Sequence, residues 1–311
     1  MNVLITGGAG FIGRWTAKKF LDERNKVTVI DNLSNGREEN IKEFRKNRNF
    51  KFTMADITNN VELSRIFAEK FDLIVHLAAQ IEVQQSISNP KKPFENNVIG
   101  TYNLLEEAKK EKTKIVIIGT CMVYDFANAK KPINEEHPTI PKSPYAGSKL
   151  AAENIAESYY HGLGLPVVIL RPFNTYGAFQ KTNMEGGVVS IFIKNELEGK
   201  ELSIFGDGEQ TRDLLYVEDC AEFIYKASTS EKAVGQTLNA GTGRDITINK
   251  LAEIICSDRK RIVHVPHHHP QAEIKKLQCD YSKAKKLLGW MPKTSLEEGI
   301  RKTREWIKKN D

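Results

Sequence analysis

Thr6-Gly7-Gly8-Ala9-Gly10-Phe11-Ile12-Gly13 is the stretch on which the reading of this chain turns. It follows a short apolar run, Val3-Leu4-Ile5, and opens an amphipathic segment, so the glycines fall in a strand-turn-helix setting. Glycines allow the tight turn and let the main chain approach a pyrophosphate. The helix N-terminus then offers that pyrophosphate N–H groups and a positive dipole end. The spacing is GxxGxxG, a departure from the common GxGxxG fingerprint. Asp31 closes the second apolar run, 18 residues after Gly13. A carboxylate there accepts from both ribose hydroxyls of NAD and would repel the 2′-phosphate of NADP. Its plain alternative is a surface aspartate at a strand end.

Outward from this turn the same rhythm repeats. The runs Val27 to Ile30, Phe71 to Val75, Lys114 to Ile118 and Pro166 to Leu170 are apolar but for Thr28, Asp72 and Lys114, and are separated by helical patterns. Continuous apolar runs are what strands buried on both faces of a parallel sheet require. The alternation predicts right-handed βαβ units. The expected fold is α/β: a Rossmann-type doubly wound parallel sheet over residues 1–170, with a return around 213–243. A smaller, mixed α/β C-terminal substrate lobe follows over 171–311. Gln236 to Ala240 is the segment expected to rejoin the main sheet.

Composition narrows the function classes. The chain has 311 residues, 40% hydrophobic and 28% charged, with 46 basic against 40 acidic residues and a net charge of +6. That is an ordinary globular balance. The lysines mostly sit among glutamates, as in Glu106 to Lys110, and no basic stripe is interleaved with aromatics, so no nucleic-acid partner is expected. Four cysteines, Cys121, Cys220, Cys256 and Cys279, form no CxxC pair. No metal is expected, and a reducing, cytoplasmic setting is. No charged and apolar leader precedes the first strand, and no apolar run approaches the roughly 20 residues a membrane span needs.

Tyr145-Ala146-Gly147-Ser148-Lys149 begins a helical segment entered through Ser143-Pro144. The i,i+4 spacing puts Tyr145 and Lys149 on one helical face. A phenol titrates near about 10 and is a poor base at neutral pH, and a neighbouring ammonium favours its charged form. Thr120, just after the fourth apolar strand, could bring a hydroxyl to the same substrate oxygen.

These residues carry a resemblance. The chain resembles the extended short-chain dehydrogenase/reductase family, and within it the nucleotide-sugar epimerases and dehydratases of UDP-glucose 4-epimerase type. The likeness runs almost end to end. It takes in the glycine turn, Asp31 to Ser34, Asp56-Ile57, His76 to Gln80, Asn97 to Thr101, Thr120 to Tyr124 and Tyr145 to Lys149. Beyond those it includes Arg171 to Gly177, Phe205 to Gly208, Arg212-Asp213 and Ser282 to Trp290.

The resemblance implies NAD as cofactor, held by Gly7, Gly10, Phe11, Ile12, Gly13, Asp31 and Asn32. Asp56 and Ile57 would meet the adenine, and Leu77, Ala78, Ala79, Gln80 and Asn97 would line or support the nicotinamide side. Thr120, Tyr145 and Lys149 would be catalytic, the last two also holding the nicotinamide ribose. A nucleotide-diphosphate sugar is the implied partner, uridine diphosphate its carrier, with Asn174, Val189, Phe205, Arg212 and His268 on the substrate side. His268 stands in His267-His268-His269, where family members carry an arginine. The helical stretches Pro93 to Lys110 and Tyr145 to His161 would pair in a homodimer through Leu104, Leu105, Ala108, Ala152, Ile155 and Ala156; ordinary burial against the sheet is the alternative.

By the same resemblance, dehydratases place an Asp-Glu pair directly after the catalytic Thr, and decarboxylases keep the Glu. Here the two positions are Cys121 and Met122. Neither supplies a carboxylate to take a C5 proton, which favours 4-epimerisation of a UDP-hexose. An NDP-sugar 4,6-dehydratase or a UDP-glucuronate decarboxylase is the enzyme alternative. An exchanging NADPH ketoreductase and a non-catalytic NAD(H) sensor stand as further alternatives.

Overall fold

The structure is a computed structural model that describes residues 1–125, 131–182, 187–266 and 275–310. Its strands are β1 (Asn2–Thr6), β2 (Lys26–Asp31), β3 (Phe50–Met54), β4 (Leu73–His76), β5 (Lys114–Ile118), β6 (Val167–Pro172), β7 (Asn174–Tyr176), β8 (Leu202–Phe205), β9 (Thr211–Tyr216), β10 (Thr237–Ala240), β11 (Asp245–Thr247) and β12 (Ile262–Val265). Seven of them make one parallel sheet in the order β10-β6-β5-β4-β1-β2-β3. The fold is the doubly wound α/β sheet, and β10 closes its edge by pairing Thr237 to Ala240 with Ile169 to Pro172.

The apolar runs divide residue by residue between two cores. Val3, Ile5, Val27, Val29, Val75, Val116, Val168 and Leu170 point to one face, packed beneath Phe20, Phe223 and Trp290. Leu4, Ile30, Ile74, Ile115, Ile117, Val167 and Ile169 point to the other, against Leu104, Leu105 and Ala108. Helices cover both faces, so the period of two along each strand never shows as a polar-apolar alternation.

The chain then builds the smaller lobe. β7 runs parallel to β9, β11 antiparallel to β9, and β12 parallel to β8. Their core holds Tyr176, Val189, Phe192, Leu202, Ile248, Leu251 and Ile300. The helix Val217–Thr229 returns to the first lobe, where Glu222 meets Lys19 of the Phe11–Asp22 helix at 2.8 Å. Trp290, from the late Ser282 to Trp290 motif, also belongs to the first lobe: it packs on Phe223 and donates through Nε1 to the Asp219 carbonyl at 3.2 Å.

Five of the six residues expected to face a second copy are used within the chain instead, and Ile155 is half-buried against the core that holds Leu104 and Leu105. Leu104, Leu105, Ala108, Ala152 and Ala156 are all buried by the protomer's own packing. The outward side of the same helical stretch carries Phe94, Ile99 and Tyr102, exposed by 54%, 38% and 45%. Among the described residues no helix is long and apolar enough to cross a membrane.

Candidate functional site

A cleft of about 320 Å³ opens beyond the C-terminal ends of β1, β2, β4 and β5, where the strand order reverses. The glycine turn forms its floor. Gly7 has φ +69°, donates to the Ile30 carbonyl at 2.8 Å, and lies so near the next strand that a Cβ would stand 2.6 Å from Ala78 N. Gly10 begins the Phe11–Asp22 helix with no side chain capping it. The first-turn N–H groups therefore face the cleft without a protein acceptor from that cap, which is the arrangement an anionic group needs. Gly7, Gly10, Phe11, Ile12 and Gly13 all line the cleft.

Asp31 and Asp56 mark one end. Asp31 is buried; its Oδ2 accepts from Ala9 N at 3.0 Å and its Oδ1 from Leu33 N at 2.8 Å. Burial raises its pKa against these two donors and the nearby Lys181. Each oxygen keeps a further lone pair for a ligand hydroxyl. Gly36 sits directly against it, and a Cβ there would meet both carboxylate oxygens within 2.9 Å. Asp56 accepts from Asn32 Nδ2 at 2.8 Å and from Thr58 N at 2.8 Å. Burial disfavours its charge, but the bonds from Thr58 and Asn32 prevail and hold it below its ordinary value. Asn32 and Ile57 line the same end. The geometry fits a dinucleotide with free ribose hydroxyls.

The other end gathers Leu77, Ala78, Ala79, Thr120, Tyr145 and Lys149. Ser143 caps the Pro144–Leu163 helix, its Oγ accepting from Ala146 N at 3.2 Å, and this start fixes Tyr145 one residue into the helix. Lys149 Nζ donates to the Ile118 carbonyl at 2.5 Å. Burial lowers its pKa to about 8, with Glu153 opposing. Burial pushes the Tyr145 phenol up to about 12; a hydrogen bond with Thr120 lowers it, while Cys121 and Glu153 raise it. The expected acidification of Tyr145 by Lys149 is thus not a property of the protein alone. The ammonium spends itself on a carbonyl, and desolvation governs the phenol. Cys121 is buried and its thiol is also pushed up to about 12.

Gln80 and Asn97 do not line the cleft but brace it. Asn97 Oδ1 accepts from Gln80 N at 2.7 Å, while its Nδ2 donates to Gln80 O at 3.0 Å and Ser148 Oγ at 2.9 Å. Ser148 Oγ in turn donates to the Tyr145 carbonyl at 2.7 Å. His76 ties the same strand ends together. Thr101 Oγ1 donates to Asn97 O, so it accepts from His76 Nε2 at 3.0 Å, leaving Nδ1 to accept from Thr6 Oγ1 at 2.7 Å.

On the substrate side, Asn174 starts β7 with a buried Oδ1 that has no partner among the described residues. Arg212 lies on the neighbouring β9, where its Nη1 donates to Thr211 O at 2.8 Å and its charge reaches Cys121. Asp213 is occupied by Thr242, Gly243 and Cys279 main-chain donors at 2.7–3.0 Å, and Asp219 by Lys293 and Thr294. Phe205 ends β8 and is 40% exposed. Val189 is buried in the core of the smaller lobe and does not line the cleft. His268 lies outside the described residues.

The strap that follows β7 lies within residues 177–187, which the sequence offers as a loop that recognises the sugar without assigning a role to any one residue. Phe179, Gln180 and Lys181 line the cleft from the smaller lobe. Lys181 Nζ donates to Asn35 Oδ1 at 2.7 Å, Trp15 Nε1 donates to Ala178 O at 3.0 Å, and the Arg14 guanidinium lies 4.0 Å over the Phe179 ring. Positive φ values at Gly177, +146°, and Phe179, +71°, mark this turn as unusual, and no periodicity in the sequence reports it.

The family model of GDP-mannose 4,6 dehydratase matches residues 4–303. The chain belongs to the extended short-chain dehydrogenase/reductase nucleotide-sugar epimerase/dehydratase family. That is an enzyme family acting on nucleotide sugars. Among solved structures, the chain is similar to Pal from Bacillus thuringiensis, with 54% identity, TM-score 0.98 and full coverage of both chains. It is similar to the Thermotoga maritima UDP-glucose 4-epimerase with UDP-glucose, at 36% identity and TM-score 0.93 over 100% of this chain and 99% of that one. It is also similar to the Bacillus anthracis dTDP-glucose 4,6-dehydratase in complex with NAD, at 33% identity and TM-score 0.90 over 100% and 97%. Epimerases and dehydratases of this family share the fold, so the net reaction is a matter of local residues.

Proposed function

We propose that this chain is an NAD-dependent 4-epimerase of a UDP-hexose. The observation that carries the reading is the company Thr120 and Tyr145 keep. Among the described residues, the carboxylates lining the cleft are Asp31 and Asp56, both at the end away from Tyr145. After Thr120 come Cys121, a thiol that burial keeps neutral, and Met122. A dehydratase needs a base for the C5 proton; an epimerase does not.

NAD, when bound, would supply the hydride acceptor and donor for the sugar's C4. Its fit is supported by the uncapped helix start, the Gly7 approach and the Asp31 carboxylate. Thr120 and Tyr145 hold the sugar's O4 between their hydroxyls, and Tyr145 Oη takes and later returns the O4 proton. The phenol, pushed up to about 12 by burial, would need a positive charge brought beside it to act as a base, and in this dry site such a charge would count for far more than in water. Lys149, near 8, is charged at neutral pH and orients the ribose and the phenol. Asn174, with its buried unpartnered oxygen, and Arg212 hold the diphosphate about which the keto sugar turns. Two copies pair through the outward face of Phe94, Ile99 and Tyr102.

Incubation with UDP-glucose, UDP-N-acetylglucosamine and UDP-glucuronate tests the reading by product mass and C4 stereochemistry. Unchanged mass with inverted C4 is expected. Loss of water replaces the reading with the dehydratase activity that the Bacillus anthracis relative bears; loss of carbon dioxide makes it a decarboxylase; no turnover of any of these sugars leaves the ketoreductase, whose cofactor would exchange on purification, and the sensor.

A further inference from the structure

Beneath the proposed catalytic residues lies a buried ion pair that they do not contain. Glu153, two turns along the helix from Tyr145 and one from Lys149, is 1% exposed. Its Oε2 accepts from both Nε and Nη2 of Arg171, at 3.0 and 2.7 Å, from the end of β6. Its Oε1 lies against Gly119, where a Cβ would stand 1.9 Å away, so only glycine lets the strand end pass. Gly119 is also pinned to β6, its N–H donating to Leu170 O at 2.7 Å. Arg171 continues outward, its guanidinium 4.8 Å from the centre of the Tyr124 ring, and Tyr124 Oη donates to Asn239 Oδ1 at 2.7 Å. The pair thus touches the helix bearing Tyr145 and Lys149, the strand end bearing Thr120, and the turn that follows it.

We propose that Glu153, clamped by Arg171, is the positioning residue that sets Thr120 against Tyr145 and serves as the counter-charge of Lys149. A buried carboxylate-guanidinium pair is an expensive way to join three elements. Apolar side chains of similar volume would pack as well but would put no negative charge beside the ammonium. Burial works against both charges and raises the Glu153 carboxyl, while Arg171 and Lys149 favour the carboxylate, and Glu153 and Tyr124 hold the guanidinium above its ordinary value; the two hydrogen bonds from Arg171 to one carboxylate oxygen are those of an ionic pair. The groups facing it are few. Lys149 sees Glu153 on its own helix, His76 from β4 and the Ile118 carbonyl from β5. Tyr145 sees Thr120, Cys121 and Glu153, and Arg212 reaches Cys121 from the smaller lobe. His76 is neutral throughout the working range, since burial and Lys149 lower it to about 3. Glu153 is therefore the negative charge whose removal both ends of the catalytic pair would register.

The direction follows from the signs. Glu153 favours the Lys149 ammonium and disfavours the Tyr145 phenolate, so removing its charge lowers both pKa values. This inference rests on the proposed tyrosine-lysine chemistry, and its test has one arm that needs no substrate.

In Glu153→Gln, the bell-shaped pH profile of turnover is expected to slide to lower pH by about one unit or more, and Glu153→Asp to recover part of the slide. Carbon-labelled lysine NMR should show Lys149 titrating lower in Glu153→Gln by a similar amount. Should Glu153→Gln fail to fold because Arg171 is left unpaired, Glu153→Leu with Arg171→Met removes both charges and should shift Lys149 less, in the same direction. A profile that merely drops in height, with Lys149 titrating as in the parent, overturns the proposal. An unmoved Lys149 in the double variant does the same. Absence of epimerase product leaves the NMR arm intact and counts against the function alone.

Discussion

Gly13 packs so tightly on Gly7 that a β-carbon at position 13 would stand 2.1 Å from the Gly7 carbonyl oxygen and 2.8 Å from the Gly8 Cα. Both neighbours are main chain and cannot swing aside. Gly13→Ala must therefore push the helix off the turn, moving the N–H groups that face the cleft. Cofactor content after purification should fall at least about tenfold, the size of effect expected when a binding group is displaced. Gly147 makes the contrast: a Cβ there meets nothing within 4 Å. Gly147→Ala should stabilise the helix by about 1 kcal/mol in denaturant unfolding. A Gly13→Ala protein with full cofactor would remove the turn from its assigned role.

Asp31 bears on cofactor choice. Asp31→Ala removes the charge that repels a 2′-phosphate and leaves Ala9 N and Leu33 N without their acceptor. Heat-released cofactor from the variant should include NADP, absent from the parent, and stability should drop by about 1–3 kcal/mol. Unaltered preference for NAD would point discrimination elsewhere, with Lys181 the first residue to examine.

Tyr145→Phe separates chemistry from binding. It deletes one oxygen from a residue that packs beneath the cleft, so the fold and the held cofactor should persist. Turnover should fall by about 100- to 10,000-fold, the span attributed to a positioned acid-base group. Activity near that of the parent would reassign the proton to another group.

His76 predicts an acid sensitivity. Its folded pKa, lowered to about 3 by burial and by Lys149, lies below the unfolded value of 6.5. Between those two values the unfolded chain binds a proton that the folded chain refuses. Stability is then complete above about 6.5 and falls with pH down to about 3, by up to about 1.4 kcal/mol per unit. Urea unfolding from pH 7 to pH 5 should cost the parent more than it costs His76→Gln. Equal losses in the two proteins would mean that His76 takes up its proton without unfolding.

Much of this architecture could be read before any coordinates. The β-branched runs at β1, β2, β4, β5 and β6 are long enough and apolar enough to identify a covered parallel sheet, and the glycine turn places the cleft. What escaped reading escaped for physical reasons. β3 is an edge strand whose residues are half-buried or exposed, so Phe50 to Met54 shows no continuous apolar run. The interior face of the Gly100–Glu111 helix looks identical in sequence whether it meets the sheet or a second copy, and Leu104 and Leu105 were assigned to the wrong neighbour. Tyr145 and Lys149 share a helical face as their spacing requires, yet spacing says nothing of the Ile118 carbonyl that claims the ammonium. Glu153 and Arg171 read as an ordinary helix charge and a strand-end charge, since only the fold reveals that neither sees water.

The strap that follows β7 reaches from one lobe to the other, with Lys181 fastened to Asn35 and Ala178 to Trp15 across the cleft. Should a dinucleotide lie beneath these ties, their parting would be a step of its release. On the proposed reading, an oxidant regenerated in every turnover would then have little need to exchange with the surrounding coenzyme.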